Sequence, residues 1–153
     1  MSTTQPGLSR TEIERLADII MMMQRCFVQY FFEQLSPERV SFPQFFLLGH
    51  ISSGESLSMT EIAEKMSHTT AAATGLVDRL EKLGYVRRMH TSDDRRKVSV
   101  KITTKGEALV GKVRQDIIAR LSLVTGILKP QEQTSWLHIY EKIHRHITCS
   151  TQN

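Results

Sequence analysis

Between Ser58 and Gly106 the chain packs two helix-capping signals, a turn and a strand pair into so few residues that few architectures can accept it. Ser58-Met-Thr-Glu61 has capping-box spacing, in which the serine and glutamate satisfy each other's backbone N–H groups, and it opens a short helix with Ile62, Ala63 and Met66 apolar. After Ser67-His68, Thr69 can cap a further helix whose buried stripe is Leu76, Val77, Leu80 and Leu83, closed by Gly84. Tyr85 to His90 and Lys97 to Ile102 then read as strands, the second alternating Val98, Val100 and Ile102 with Ser99 and Lys101. Thr91-Ser92-Asp93-Asp94 supplies the turn formers between them, so the pair is a hairpin.

Long helices flank this segment. Ser9 and Glu12 form another capping box, followed by Ile13, Leu16, Ile20, Phe27 and Phe31 at helical spacing until Ser36-Pro37 stops the run. Such a helix, about 25 residues, is longer than a small domain needs. It is apolar on more than one side at Ile19-Ile20-Met21-Met22-Met23, a width that suits a second covering surface such as another subunit. A second helix runs from Ser41, with Pro43 in its first turn and Phe45, Leu48 and Ile51 or their neighbours inward, to Ser53-Gly54. Thr103 caps a long helix with Leu109, Val113, Ile117 and Leu121 on one face, Gly126 interrupts it, and Pro130 begins a last helix carrying Trp136, Ile139, Tyr140, Ile143 and Ile147.

At 153 residues, 40% hydrophobic and 24% charged, the composition is that of one ordinary globular domain. Met1–Gly7 and Cys149–Asn153 are small and polar and read as frayed ends. No apolar stretch reaches the roughly 20 residues of a membrane span, and no signal peptide is legible, so a cytoplasmic protein with no membrane partner is expected. Charge is unevenly placed. Ser58 to Gly106 holds 10 Lys/Arg against 6 Asp/Glu, whereas the rest of the chain holds 10 against 10, so the net charge of +4 lies in that segment. A basic module of this kind suits phosphate, which Lys and Arg bind with release of counterions.

In a helix-turn-helix the second helix lies in the major groove, and its first residues meet base edges. Here those are Thr69, Thr70, Ala71, Ala72, Thr74 and Gly75, with Arg79 further along. Threonine hydroxyls can bond bases or phosphates and methyl groups can meet thymine methyls, but the first two turns hold no bidentate Arg or Asn reader. Modest base-by-base discrimination is therefore expected. Glu141, His144 and His146 lack the paired spacing of a zinc site, so no metal is expected. The absence of a Gly-rich phosphate loop, a nucleophile elbow and a paired carboxylate motif speaks against an enzyme and against a cofactor.

Taken in order, Leu57 to Met66, Thr69 to Gly75, Leu76-Val-Asp-Arg-Leu-Glu-Lys-Leu-Gly-Tyr-Val-Arg-Arg88, Ser92-Asp-Asp-Arg-Arg-Lys97 and Ile102-Thr-Thr-Lys-Gly106 resemble the MarR family of bacterial transcriptional regulators. The resemblance implies a mainly α fold with a small β-hairpin wing: a winged helix-turn-helix lobe at 41–103, flanked by dimerisation helices at 9–35 and 104–147, all in one domain. It implies a homodimer reading a palindromic site in double-stranded DNA, with recognition helices roughly 34 Å apart. It places a wing arginine in the minor groove, steadied by an aspartate: Arg95 with Asp94, or Arg96 with Asp93. Such insertion favours A/T-rich flanks, where the groove is narrow and its potential strongly negative. Arg87, Arg88, Lys97 and Lys101 are then the phosphate neutralisers.

Many members respond to small aromatic or phenolic anions, and Tyr30, Phe31, Phe42, Phe45 and Phe46, with Arg25 and His50 as polar anchors, form the candidate effector pocket. Peroxide-sensing members use a thiol near the start of the first helix with tyrosines nearby. Cys26 lies mid-helix and faces phenylalanines instead, so it is expected to be buried and inert. The resulting expectation is a repressor released by its effector. The alternative is a winged-helix module for protein contact or nonspecific nucleic-acid binding.

Overall fold

The computed structural model describes residues 7–52, 56–91 and 94–150; of residues 90–91, 94–97 and 149–150 it describes the backbone alone. The described chain forms α1 (Arg10–Leu35), α2 (Phe42–Ile51), β1 (Leu57–Ser58), α3 (Met59–Lys65), α4 (Thr70–Lys82), β2 (Val86–Thr91), β3 (Asp94–Ile102), α5 (Thr104–Thr125) and α6 (Pro130–Ser150). It divides into two compact units, Met1–Val110 and Gly111–Asn153. No described helix is long and apolar enough to cross a membrane.

Helix starts follow the capping chemistry. Ser9 N–H donates to Glu12 Oε2 at 2.8 Å while Glu12 N–H donates back to Ser9 Oγ at 3.4 Å, and Ser58 and Glu61 repeat this at 2.8 and 3.3 Å. Hydrogen bonds from the serine side chain and backbone hold both glutamate carboxyls below the usual carboxylate range. Ser41 and Gln44 make a third box, with Ser41 N–H donating to Gln44 Oε1 at 2.8 Å. Glutamine there serves as acceptor without charge, which suits its burial.

The first unit's core is built from Leu35, Leu47, Leu48, Ile51, Ile62, Ala73, Val77, Leu80, Val86 and Val100. The three-stranded sheet has the order β1-β3-β2, antiparallel throughout. β1 is a strand the sequence pattern does not announce. Only Leu57 and Ser58 pair, opposite Val100 and Ser99, and two residues are too few for an alternating signal. Apolar residues of α1 behave differently: Ile13, Leu16, Ile20 and Phe27 stay exposed, and burial begins only at Tyr30 and Phe31. In α5 the stripe is buried at Leu109 and Val113 and open at Leu121, and in α6 Ile139, Tyr140, Ile143 and Ile147 are all exposed.

A tight corner joins α4, the sheet and α5. Gly84, at φ +79°, turns the chain out of α4 in a left-handed conformation that glycine adopts without steric cost. Tyr85 N–H donates to Leu80 O at 2.9 Å, and Tyr85 O accepts from Thr103 N–H at 3.0 Å and from Thr103 Oγ at 3.1 Å. The Tyr85 ring is buried, its hydroxyl donates to Glu38 Oε2 at 2.6 Å, and Lys105 Nζ sits 4.5 Å from the ring centroid. Gly106 closes the corner: a Cβ there would lie 2.3 Å from Tyr85 O and 2.6 Å from Ile102 Cγ1.

Gly106→Ala is therefore expected to force the α5 start away from Tyr85 and cost about 3 kcal/mol, read as a lower midpoint in urea unfolding with unchanged slope. A second expectation concerns alkaline pH. Burial, then the hydrogen bond to Glu38 and the carboxylate's charge, push the Tyr85 phenol up to about 12. Between pH ~10, where a free tyrosine ionises, and about 12, the unfolded chain releases a proton that the folded chain keeps. This contribution is complete below pH ~10 and disappears as pH rises through the folded value. Urea midpoints should fall more steeply over that window in the wild type than in Tyr85→Phe; parallel profiles would remove Tyr85 as the source.

Candidate nucleic-acid interface

The turn between α3 and α4 sets the presentation of α4. Met66 ends α3, Ser67 takes φ +52°, and His68 N–H donates to Ala63 O at 2.9 Å, folding the chain back so that Thr69 caps α4. Thr69 Oγ1 accepts from Ala72 N–H at 3.3 Å. With helical spacing, Ala73, Val77 and Leu80 go inward and are fully buried, with Leu76 and Leu83 only partly covered. The opposite face carries Thr70, Ala71, Gly75, Asp78, Arg79 and Lys82, all exposed, and a Cβ on Gly75 would meet open space. Thr74 is half-buried and its hydroxyl donates to Thr70 O at 2.8 Å, so what it offers a partner is an acceptor.

The hairpin's pleat separates its cations. Arg87 stands opposite Lys101 in the register, and both are exposed with no ion-pair partner among the described residues. Like charges directly across a strand pair repel, a cost that an external polyanion would remove. Arg88 shares the inner face with Val86 and is turned to α4. Its guanidinium donates to Asp78 Oδ1 at 2.6 Å and to Glu81 Oε2, and its backbone N–H donates to Glu81 Oε1 at 2.9 Å. Burial alone would lower the guanidinium pKa, but the bonds and charges of these carboxylates more than offset it and raise it. Arg88 thus stands apart from the outward cations with which its charge groups it, because it sits two residues after inward-facing Val86, a period-2 signal present in the sequence.

Further out, Thr91 pairs with Asp94 and His90 with Val98, so β3 carries three extra residues, Arg95, Arg96 and Lys97, within the irregularity. The entire basic run occupies this bulge, a feature that bends and twists a strand. The side chains of Asp94, Arg95, Arg96 and Lys97 lie outside the described residues, as does Asp93 altogether.

The candidate effector residues are brought together only in part. Phe31 packs on Phe42 and Phe45 with centroids 5.5 and 5.6 Å apart, Phe42 stacks on Phe46 at 6.4 Å, and Phe46 meets His50 edge-on at 4.7 Å. Tyr30 and Phe31 are buried, whereas Phe42 and Phe46 remain about half exposed, at 50% and 51%. Arg25 lies elsewhere on α1, in a shallow groove with Met21, Gln24, Val28, Gln29 and Phe32. Cys26 corrects an expectation: it is exposed, because α1 is uncovered along its length before Tyr30.

Two short helices at a tight turn, backed by a three-stranded sheet with a projecting cationic hairpin, define a winged helix-turn-helix protein. The MarR family model matches residues 40–98 of the chain, which hold the end of the α1–α2 connection through to the start of β3's regular pairing. It is 33% identical over 102 residues to the uncharacterized HTH-type transcriptional regulator YfiV of Bacillus subtilis, an alignment covering 67% of this chain and 62% of that protein. To the HTH-type transcriptional repressor MdtR of the same organism it is 28% identical over 135 residues, covering 83% of this chain and 87% of the relative. A solved MarR family protein from Bacillus stearothermophilus superposes with TM-score 0.81 at 22% identity, covering 93% of this chain and 99% of that one.

Proposed function

We propose that this chain is a dimeric, sequence-specific DNA-binding transcriptional regulator, a repressor released by a small aromatic or phenolic effector. The observation that carries the reading is the exposed, uncharged start of α4, at Thr70, Ala71 and Gly75, beside a hairpin whose Arg87 and Lys101 face outward in register. The helix supplies close approach through Thr69, Thr70, Ala71, Thr74 and Gly75, with Arg79 further along; the hairpin supplies charge. Arg95, or Arg96, inserts into the minor groove. The relatives' names as transcriptional regulators, one of them a repressor, support the same reading.

The dimer is supported by unburied apolar surface. Leu16, Ile20 and Phe27 on α1, and Ile139, Tyr140 and Ile143 on α6, are all about half exposed, more than a lone domain ordinarily leaves to water. The helices at 9–35 and 104–147 bury these faces against a second copy. The half-exposed Phe42 and Phe46 beside His50 offer an effector one aromatic platform with a polar edge.

Selection from a random duplex pool should yield one palindromic site, held against a large excess of random DNA. No enrichment would favour the nonspecific or protein-contact module instead. Arg95→Ala should weaken the selected site by about tenfold or more, ~1–3 kcal/mol, while sedimentation shows the dimer intact. Unchanged affinity in a gel-shift titration would remove Arg95. Benzoate-type anions should release the bound duplex, and Phe46→Ala should raise the concentration needed by about tenfold, a loss of ~1.4 kcal/mol; equal release curves would exclude this platform.

A further inference from the structure

Beyond Met89 the wing has little to hold it. β1 backs β3 only at Val100 and Ser99, which pair in turn with Arg88 and Met89, so further out the hairpin is a two-stranded ribbon among the described residues. Arg88 is thus at the last supported stretch of β2, and its fork reaches back to two acceptors, Asp78 and Glu81, one helical turn apart on α4. The backbone bond from Arg88 N–H to Glu81 adds a third tie at the same point. One residue therefore ties α4 to the hairpin, the two elements to which the proposed function gives the major and the minor groove.

We infer that the Asp78–Arg88–Glu81 fork positions the wing relative to α4 for DNA reading, and that Arg88 itself makes no phosphate contact. The inference rests on the DNA-binding function proposed above. Thr91 lies three residues beyond Arg88, ~10 Å along a strand, so ~10° of slack at Arg88 would displace it by ~2 Å. Functional constellations hold their geometry to about 0.5 Å, so such slack would separate the two groove contacts that recognition must make together. Planar, bidentate geometry is what an arginine offers here. A lysine keeps the charge but cannot hold both carboxylates in one fixed fork.

Electrostatics and positioning predict opposite signs. Removing the two carboxylates in Asp78→Ala/Glu81→Ala makes the surface more positive, which by itself tightens binding to any duplex. As positioning residues, they should instead be needed for the selected site. Fluorescence anisotropy of the full chain, on the selected duplex and on a random one, separates the two, with thermal unfolding confirming the fold.

The expected result for the double variant is at least a tenfold loss on the selected duplex with equal or tighter binding to the random one. Arg88→Lys, with charge unchanged, should lose specificity in the same way, and it carries the test if the double variant does not fold. Parallel tightening on both duplexes, or an Arg88→Lys specificity ratio equal to wild type, would overturn the inference. A wild-type chain that enriches no sequence at all would instead sink the functional reading, and that result comes before any variant is made.

Discussion

The backbone of Tyr85 is the point on which the first unit turns. Its N–H ends α4 at Leu80 O, its carbonyl receives both Thr103 donors at the end of β3, and its hydroxyl reaches Glu38 in the connection between α1 and α2. Thr103 Oγ shares its one proton between Tyr85 O and the nearer Gly84 O at 2.7 Å and accepts from Gly106 N–H at 3.2 Å, so the same side chain begins α5. Because the carbonyl and the α5 start must approach this closely, Gly106 has no room for a Cβ. The direction in which β2 leaves α4 follows from this corner, and with it the direction of the wing.

Once β2 leaves in that direction, its pleat decides which cation does what. Val86 must face the core, so Arg88 must as well, and Arg87 must face out opposite Lys101. Summing charge along the segment treats these arginines alike. The pleat separates one whose charge is matched by two carboxylates from one that has no ion-pair partner among the described residues. A positively charged surface and a rigid attachment are thus made from adjacent residues of one strand.

Much of this was legible in the sequence, and the exceptions share a cause. Capping boxes at Ser9 and Ser58, the Thr69 cap and Gly84 are local chemistry, complete within a few residues, and each appears where its spacing places it. The Ser41–Gln44 box had the same spacing but carried glutamine in place of glutamate. Strand β1 was illegible because its existence depends on Val100 and Ser99, some 40 residues away. Cys26 and Arg25 depended on which face of α1 is covered, and the periodicity of α1 is too broad to name one. In the site, the α4 face was readable from helical period alone, whereas the role of Arg88 needed the carboxylates of a neighbouring element.

That breadth of α1 is itself informative when set against α4. α4 buries its inner face completely at Ala73, Val77 and Leu80 and leaves outside small residues, Thr70, Ala71 and Gly75, and charged ones, Asp78, Arg79 and Lys82. α1 does the reverse over most of its length: Ile19, Ile20, Met21, Met22 and Met23 are all about half exposed and include every side of the helix. A stripe this wide exceeds the roughly 100° face that one covering surface takes up, so α1 asks for apolar cover from more than one direction. The two helices therefore differ physically: α4 has its apolar face covered and its outer face open to a polar partner, whereas α1 carries open apolar surface along most of its length, and it is on that surface that the proposed dimer rests.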